Sequence, residues 1–170
     1  MTEVDLICFV NAQDLVYNRV VKELTDGRKR THWMWFIFPQ LKGLGHSAMA
    51  QRYAIRDLAQ ARAYLSDPIL GIRLRQDVQL LVRHQGKSAL EILGSPDDLK
   101  FRSCLTLFGA AAIDKKPNKP IEAAPIRYIF LRPMRSEMWP DTGMVMNETQ
   151  EATRTAVKMK FRDICNVPTA

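Results

Sequence analysis

The sequence lacks the features that mark membrane and secreted proteins. Its 170 residues contain no apolar run of about 18 residues, the length that a membrane-spanning helix needs. Residues 1–10 also lack the basic start and the continuous apolar segment of a secretory signal. We therefore expect a cytoplasmic protein, and a chain of this length most simply forms a single domain with one core.

Cysteine and histidine are scarce, and they form no cluster typical of a metal site. The three cysteines, Cys8, Cys104 and Cys165, lie far apart and form no Cys-x-x-Cys pair. Unpaired thiols of this kind are typical of a reducing compartment. None of the three histidines has the spacing of a metal ligand, so the sequence predicts neither a metal nor another cofactor.

Charge gives no strong functional signal either. The net charge of +7 permits binding to anions, but the basic residues are spread along the chain rather than collected on one face. Nucleic-acid binding is therefore not favoured. The sequence contains no recognisable Ser/His/Asp or Cys/His arrangement and no pair of catalytic carboxylates, and it leaves the oligomeric state open.

What the sequence does contain is helical periodicity with capping residues. Apolar residues at helical spacing predict one helix over residues 3–25, ended by Gly27. Thr31 is predicted to cap a short helix that ends before Pro39. Capping patterns predict four further helix starts, at Asp57–Gln60, Asp67–Pro68, Ser88–Glu91 and Ser95–Asp98.

Residues 1–112 are therefore predicted to form a compact multihelical domain of the all-α class. The last of these helices is predicted to run to about Ala112. Strand signals are limited to two short β-prone runs, at residues 36–38 and 126–131, and no internal repeat is found.

Residues 113–170 differ in composition from the rest of the chain. Five of the nine prolines fall within residues 117–140, and proline interrupts regular helix. We expect irregular chain over residues 113–146 and a last helix over residues 147–165. This extension is predicted to pack on the same domain.

Three segments resemble one protein family. They are HWMWFIFPQLKGLGHSAMAQRYAI, ARAYLSDPILGIRLR and GSPDDLKFRSCLTLF. Over about residues 5–112 the chain is similar to the bacterial family called domain of unknown function 1810. The resemblance implies a mainly α-helical cytosolic domain and no established activity. Some members carry a calpain-inhibitor label, but calpastatin-type inhibitors act through disordered repeats rather than a capped helical domain. The proline-rich extension departs from the leucine-rich helical piece usual in the family.

The aromatic run at residues 33–38 is the most distinctive part of the sequence. Burial of four large aromatic side chains would supply a large share of a small core's stabilisation. Core packing is therefore predicted for Phe36 and Phe38. Because two tryptophans two residues apart cannot both face the same way, Trp33 or Trp35 is predicted to face a ligand cleft.

Polar residues around the run are further candidates, each with a structural alternative. His32 is either a general acid/base, since histidine exchanges protons near neutral pH, or a backbone-bonded residue at a helix start. Gln40 either recognises the edge of a ligand or ties down a loop. Gly43 and Gly45 form either a weak phosphate cradle or a tight turn.

Three more residues complete the candidate binding site. Tyr53 is predicted to be half-buried, with its hydroxyl at the surface. Lys100 and Arg102 either pair with nearby aspartates or form an anion clamp that faces the aromatic run.

Two functions follow from these residues. The first is binding of a small anionic or heteroaromatic ligand in a cleft walled by residues 32–45 and floored by the helix over residues 96–112. The alternative is an enzyme acting on a nucleotide-like metabolite, with His32 as general acid/base and Lys100 or Arg102 balancing phosphate charge. The enzyme requires His32, Gln40 and a cation to converge on one concave surface.

Overall fold

The computed structural model describes residues 6–113, and this part of the chain is all-α, as predicted. Its eight helices are α1 (Ile7–Asp14), α2 (Tyr17–Thr25), α3 (Met34–Ile37), α4 (Ala48–Arg52), α5 (Leu58–Ser66), α6 (Leu70–Val82), α7 (Ala89–Leu93) and α8 (Asp97–Ile113). Between residues 6 and 113, extended pairing is limited to an isolated bridge between Leu41 and Ile55. The predicted run at 126–131 and the predicted helix at 147–165 lie outside the described residues.

Helix α8 holds the centre of the fold. It packs against α5 and α7, while α6 packs against α5 and α2, and α1 packs against α3. Aromatic rings join these helices: Phe9 of α1 contacts Tyr64 of α5, which in turn contacts Phe108 of α8. None of the helices within residues 6–113 combines the length and the apolar character needed to cross a membrane.

The N-terminal segment forms two helices instead of the single predicted one. Helix α1 ends at Asp14, α2 begins at Tyr17, and Val16 between them has a non-helical φ of −133°. Phe9, Val20 and Leu24 are buried, as their helical spacing predicts. Both helices bury their apolar faces in the same core, so the apolar pattern runs across the break and does not reveal it.

The short helix α3 exists, but Thr31 does not cap it. Helix α3 begins after Trp33 and has no side-chain cap. The Thr31 hydroxyl instead donates to Oε1 of Glu23 at 2.7 Å. A capping hydroxyl accepts a hydrogen bond from a helix amide, whereas the Thr31 hydroxyl donates to an ionised carboxylate, which forms a stronger hydrogen bond. Residues 36 and 37, part of a β-prone run in the sequence, lie in this helix.

Two of the four capping patterns form side-chain caps at helix starts as predicted. Asp57 accepts a hydrogen bond from the Gln60 backbone amide at the start of α5, and Ser88 and Glu91 form a reciprocal capping box at α7. At α6 the start lies later than predicted: Asp67 accepts from the backbone amide of Leu70 at 2.8 Å, but Pro68 precedes the helix and the N-cap position, Ile69, has no side-chain cap. These caps satisfy backbone amides that have no partner inside the helix.

The fourth start differs in detail. Helix α8 begins at Asp97, with Asp97 and Asp98 in its first turn as predicted. The backbone amides of both aspartates donate to the Gly94 carbonyl, and among residues 6–113 the Ser95 side chain makes no capping hydrogen bond. The turn that precedes the helix therefore satisfies these amides through backbone contacts.

Gly71, at the start of α6, allows the close approach of α5. A Cβ atom at this position would lie 2.8 Å from the Leu65 carbonyl carbon and closer still to its oxygen. Because the obstacle is backbone, we expect Gly71→Ala to lower the free energy of unfolding by roughly 1–3 kcal/mol, the usual cost of overpacking. Denaturant titration measures this loss. Gln79→Ala, on the exposed side of the same helix, should stay within about 0.5 kcal/mol, and an unchanged or stabilised Gly71→Ala variant would contradict the prediction.

Candidate functional site

Glu23 anchors the segment that carries the tryptophans. Its buried carboxylate accepts four hydrogen bonds from the segment that follows α2. The donors are the Arg30 amide at 2.8 Å, the Thr31 amide at 3.1 Å, the Thr31 hydroxyl at 2.7 Å and the Trp33 indole at 2.8 Å. Burial alone raises the pKa of the Glu23 carboxyl, but these hydrogen bonds outweigh burial and lower that pKa to about 2. Glu23 therefore stays ionised and holds the chain at residues 30–33.

Aromatic rings fasten this segment to helix α8. Trp33 is 1% exposed, and its ring lies edge-on to Phe38 with a centroid separation of 6.1 Å. Phe38 contacts Phe101 of α8 in the same manner at 4.7 Å. Edge-to-face contacts of this kind add to the free energy gained by burial. The run at residues 33–38 thus packs against α8.

Ion pairs also join the chain that precedes the tryptophans to helix α8. Asp97 lies in the first turn of α8. Lys29 Nζ lies 2.7 Å from its Oδ2, and Lys100 Nζ lies 2.7 Å from its Oδ1. The Lys29 side chain is only 9% exposed. Burial raises the pKa of the Asp97 carboxyl, but hydrogen bonds from both lysines outweigh that effect and hold the pKa below its ordinary value. Two cations therefore share Asp97, while the buried carboxyl group of Asp98 lies next to it in the same turn.

The second tryptophan lies at the rim of this arrangement. Trp35 is partly buried against the core, with the rest of its side chain accessible to solvent. Lys100 Nζ lies 5.5 Å from the centroid of its ring, and Lys29 Nζ lies 5.3 Å from that of Trp33. We call Trp35, Lys100, Asp97 and Lys29 the Trp35 rim. It joins a partly accessible indole to the ammonium group of Lys100.

Two other predicted residues, His32 and Gln40, flank the run on either side. Gln40 is half-buried, and its backbone carbonyl accepts from the Ile55 amide at 2.8 Å, which ties the loop to Ile55. Within residues 6–113 its side-chain amide makes no hydrogen bond. His32 is exposed. No hydrogen bond or ion pair in the described part of the chain joins His32 to Gln40 or Lys100, and the role of His32 as general acid/base stays a prediction.

Of the two predicted loop glycines, Gly43 lies in a turn and Gly45 does not. Gly43 has a φ of +88°, a conformation that glycine adopts without strain. A Cβ atom on Gly45 would lie 2.5 Å from the Ala50 Cβ, so glycine is required there for helix α4 to pack against the loop. The positive φ of Gly43 and the close approach at Gly45 account for the two glycines without a ligand. Their role as a phosphate cradle stays a prediction.

Tyr53 and Arg102 occupy contrasting positions. Tyr53 is more buried than predicted, and its ring packs on Phe9 and Phe36 in the core. Arg102 lies on an exposed face of α8. Tyr53 thus belongs to the core packing, while the part of Arg102 in an anion clamp stays untested.

Comparison with known proteins identifies the family. A sequence model described as "Protein of unknown function (DUF1810)" matches residues 3–124. The chain belongs to the DUF1810 family. It is also similar to a solved structure, the conserved hypothetical protein Rv1873 from Mycobacterium tuberculosis, with 48% identity and a TM-score of 0.65. The similarity covers 75% of this chain and 84% of the other. No protein of curated function matches it.

Sequence reasoning missed two polar groups that organise this DUF1810 chain. Glu23 follows Val20 by three residues and so falls on the buried stripe of α2. Asp77 follows Leu74 by three residues and falls on the buried stripe of α6 in the same way. A charged residue on a predicted apolar stripe is therefore the signal that could have found both, because buried charge requires hydrogen-bond partners.

Proposed function

We propose that this DUF1810 protein binds a small anionic heteroaromatic ligand at the Trp35 rim. The observation that carries the proposal is the accessible indole of Trp35 beside Lys100, on a segment fixed in place by Glu23 and Phe38. Rigid positioning matters because a site that is already ordered loses less entropy when its ligand binds.

The chemistry of the rim defines the class of ligand. A planar heteroaromatic ring can stack on the accessible part of the indole, a contact worth about 1–3 kcal/mol for nucleic-acid bases. Lys29 and Lys100 share the carboxylate of Asp97, and Lys100 is the more exposed of the two, so an anionic group on the ligand would pair with Lys100. A ligand with both features should therefore bind more tightly than one with either feature alone.

Adenosine 5′-monophosphate is a suitable probe because it carries a planar base and a phosphate. Titration calorimetry and thermal unfolding of the full chain should show binding of this probe, with weaker binding of adenosine and of inorganic phosphate. A ligand that prefers the folded form raises the unfolding temperature. Absence of binding by all three compounds would contradict the proposal.

Two variants test the rim directly. Trp35→Ala should weaken binding of the nucleotide by about tenfold or more, which corresponds to about 1.4 kcal/mol. Lys100→Met, which keeps the aliphatic stem, should weaken binding of the nucleotide but leave that of adenosine nearly unchanged. Arg19→Met, which removes an exposed cation of α2, serves as the matched control. If all three variants bind the nucleotide equally well, the ligand lies elsewhere.

A further inference from the structure

A carboxyl group with one long hydrogen bond lies between the N-terminal helices and α6. Asp77 of α6 is 1% exposed. Within residues 6–113, the hydrogen bond that reaches its carboxylate comes from the Tyr17 hydroxyl of α2, at 3.3 Å. Glu23, by contrast, accepts four shorter or similar bonds. A fully ionised Asp77 would therefore be poorly solvated in this position.

The nearest cation is engaged with other groups. Arg73 precedes Asp77 by four residues, so the two side chains lie on the same face of α6. Yet Arg73 Nη2 donates to Asp14 at 2.7 Å and Nη1 donates to Gln13 at 3.4 Å, both in α1. Its guanidinium also lies 4.4 Å from the centroid of the Tyr17 ring. Arg73 thus holds the junction of α1 and α2, residues 13–17, against α6. We call these five residues the elbow.

The ionisable groups around Asp77 come from every neighbouring helix. They are Tyr17 of α2, Tyr64 of α5 and Arg73 of α6, and Arg73 in turn pairs with Asp14 of α1. Burial raises the pKa of the Asp77 carboxyl to about 7, although the Tyr17 hydrogen bond and the Arg73 charge both oppose the rise. Burial likewise raises the pKa of Tyr17 and of Tyr64, so both phenols stay protonated. Asp77 is therefore the member of this group that changes its charge near neutral pH.

We propose that Arg73 switches between two carboxylates and that this switch makes the elbow sensitive to pH. When Asp77 is neutral, Arg73 pairs with Asp14 and ties the elbow to α6. When Asp77 loses its proton, the buried anion draws Arg73 away from Asp14, and the elbow loosens.

The two carboxylates compete unequally for the guanidinium. The Asp14 side chain is 53% exposed, so water can solvate it once Arg73 leaves. Exposed ion pairs contribute only about 0–1 kcal/mol. Asp77 lies in a less polar environment, where attraction between opposite charges is stronger and is screened less by salt. Ionisation of Asp77 therefore favours the exchange of partners.

Hydrogen exchange of the full chain between pH 5.5 and 8.5 tests the switch. The backbone amides of Val16, Arg19 and Val20 donate hydrogen bonds within the elbow and the first turn of α2, and their protection factors should fall by about tenfold across this range, which corresponds to about 1.4 kcal/mol. Asp77→Asn removes the titrating group and should keep these amides protected at both pH values. The amides of α8 provide an internal reference, since they lie away from the elbow and should show no such change.

Two further variants keep the proposal testable if Asp77→Asn fails to fold. Asp14→Asn removes the partner used at low pH, so its elbow should already exchange rapidly at pH 5.5. Tyr17→Phe removes a hydrogen bond that favours ionised Asp77, so the transition should move to higher pH. Equal protection of the wild-type elbow at both pH values, or a pH response that survives in Asp77→Asn, would overturn the switch.

Discussion

Glu23→Ala is expected to lower the free energy of unfolding by at least about 3 kcal/mol. The substitution leaves four donors without their acceptor, namely two backbone amides, the Thr31 hydroxyl and the Trp33 indole. An unsatisfied buried donor costs about 1–3 kcal/mol, although water entering the vacated space would recover part of the sum. Denaturant unfolding, followed by tryptophan fluorescence, measures both the loss of stability and the altered environment of Trp33.

Glu23→Gln is the matched control, because an amide can preserve the same pattern of hydrogen bonds. Its oxygen can accept the three bonds that now reach Oε2, and its NH₂ group can donate to Thr31, whose hydroxyl also accepts. We expect a loss of about 1 kcal/mol, mainly from replacing charge-assisted bonds by neutral ones. If the alanine and glutamine variants were equally stable, the hydrogen bonds at Glu23 would not be the source of its contribution.

The same carboxyl gives stability a defined dependence on pH. Its pKa in the folded protein is about 2, below the ordinary value of 4.5. The stabilisation is therefore fully present above pH 4.5 and is lost as the pH falls through 2. Glu23→Gln should lack this part of the acid-induced loss. Asp77 acts in the opposite sense, since its raised pKa favours the folded state at low pH and the advantage is lost as the pH rises through about 7.

Phe38→Ala is expected to lower the free energy of unfolding by about 3–5 kcal/mol, the usual cost of removing a large aromatic side chain from a core. Phe38 is fully buried and lies between Trp33 and Phe101, so its removal opens a cavity where the aromatic run meets α8. Thermal and denaturant unfolding measure the change.

A double-mutant cycle with Phe101 isolates the contact between the rings. The coupling energy for an edge-to-face pair should be about 0.5–1.5 kcal/mol. Trp35→Ala is the control from the same run, and it should cost much less because Trp35 is only partly buried. A cost for Phe38→Ala no larger than that for Trp35→Ala would show that the run is not fastened to α8 through Phe38.

Local sequence signals predicted most of the helices because each cap involves residues only a few positions apart. Ser88 and Glu91 illustrate this, since their reciprocal hydrogen bonds need no partner from elsewhere in the chain. The break between α1 and α2 was missed for the opposite reason. Apolar residues at helical spacing run across the break, and the buried Gln13 beside it donates to the Phe36 carbonyl, 23 residues away.

The candidate site was predicted in part. The sequence identified Trp35 and Lys100, which the structure brings together at 5.5 Å. Sequence reasoning grouped Tyr53 with them, yet its ring lies in the core against Phe9 and Phe36. Periodicity gives the spacing of residues along the chain but not which of two aromatic residues a distant helix will cover.

The sequence by itself determined the all-α class, the family and the capped helix starts, because each depends on neighbouring residues or on motifs read directly from the chain. Tertiary structure decided which polar residues are buried and what they hold. Glu23 accepts a hydrogen bond from Trp33 of the aromatic segment, and Asp77 accepts one from Tyr17 of the elbow. Both carboxylates need such partners because folding removes the water that would otherwise solvate them. Desolvation is a property of the assembled core, and it strengthens each hydrogen bond to those two carboxylates and raises the cost of losing one.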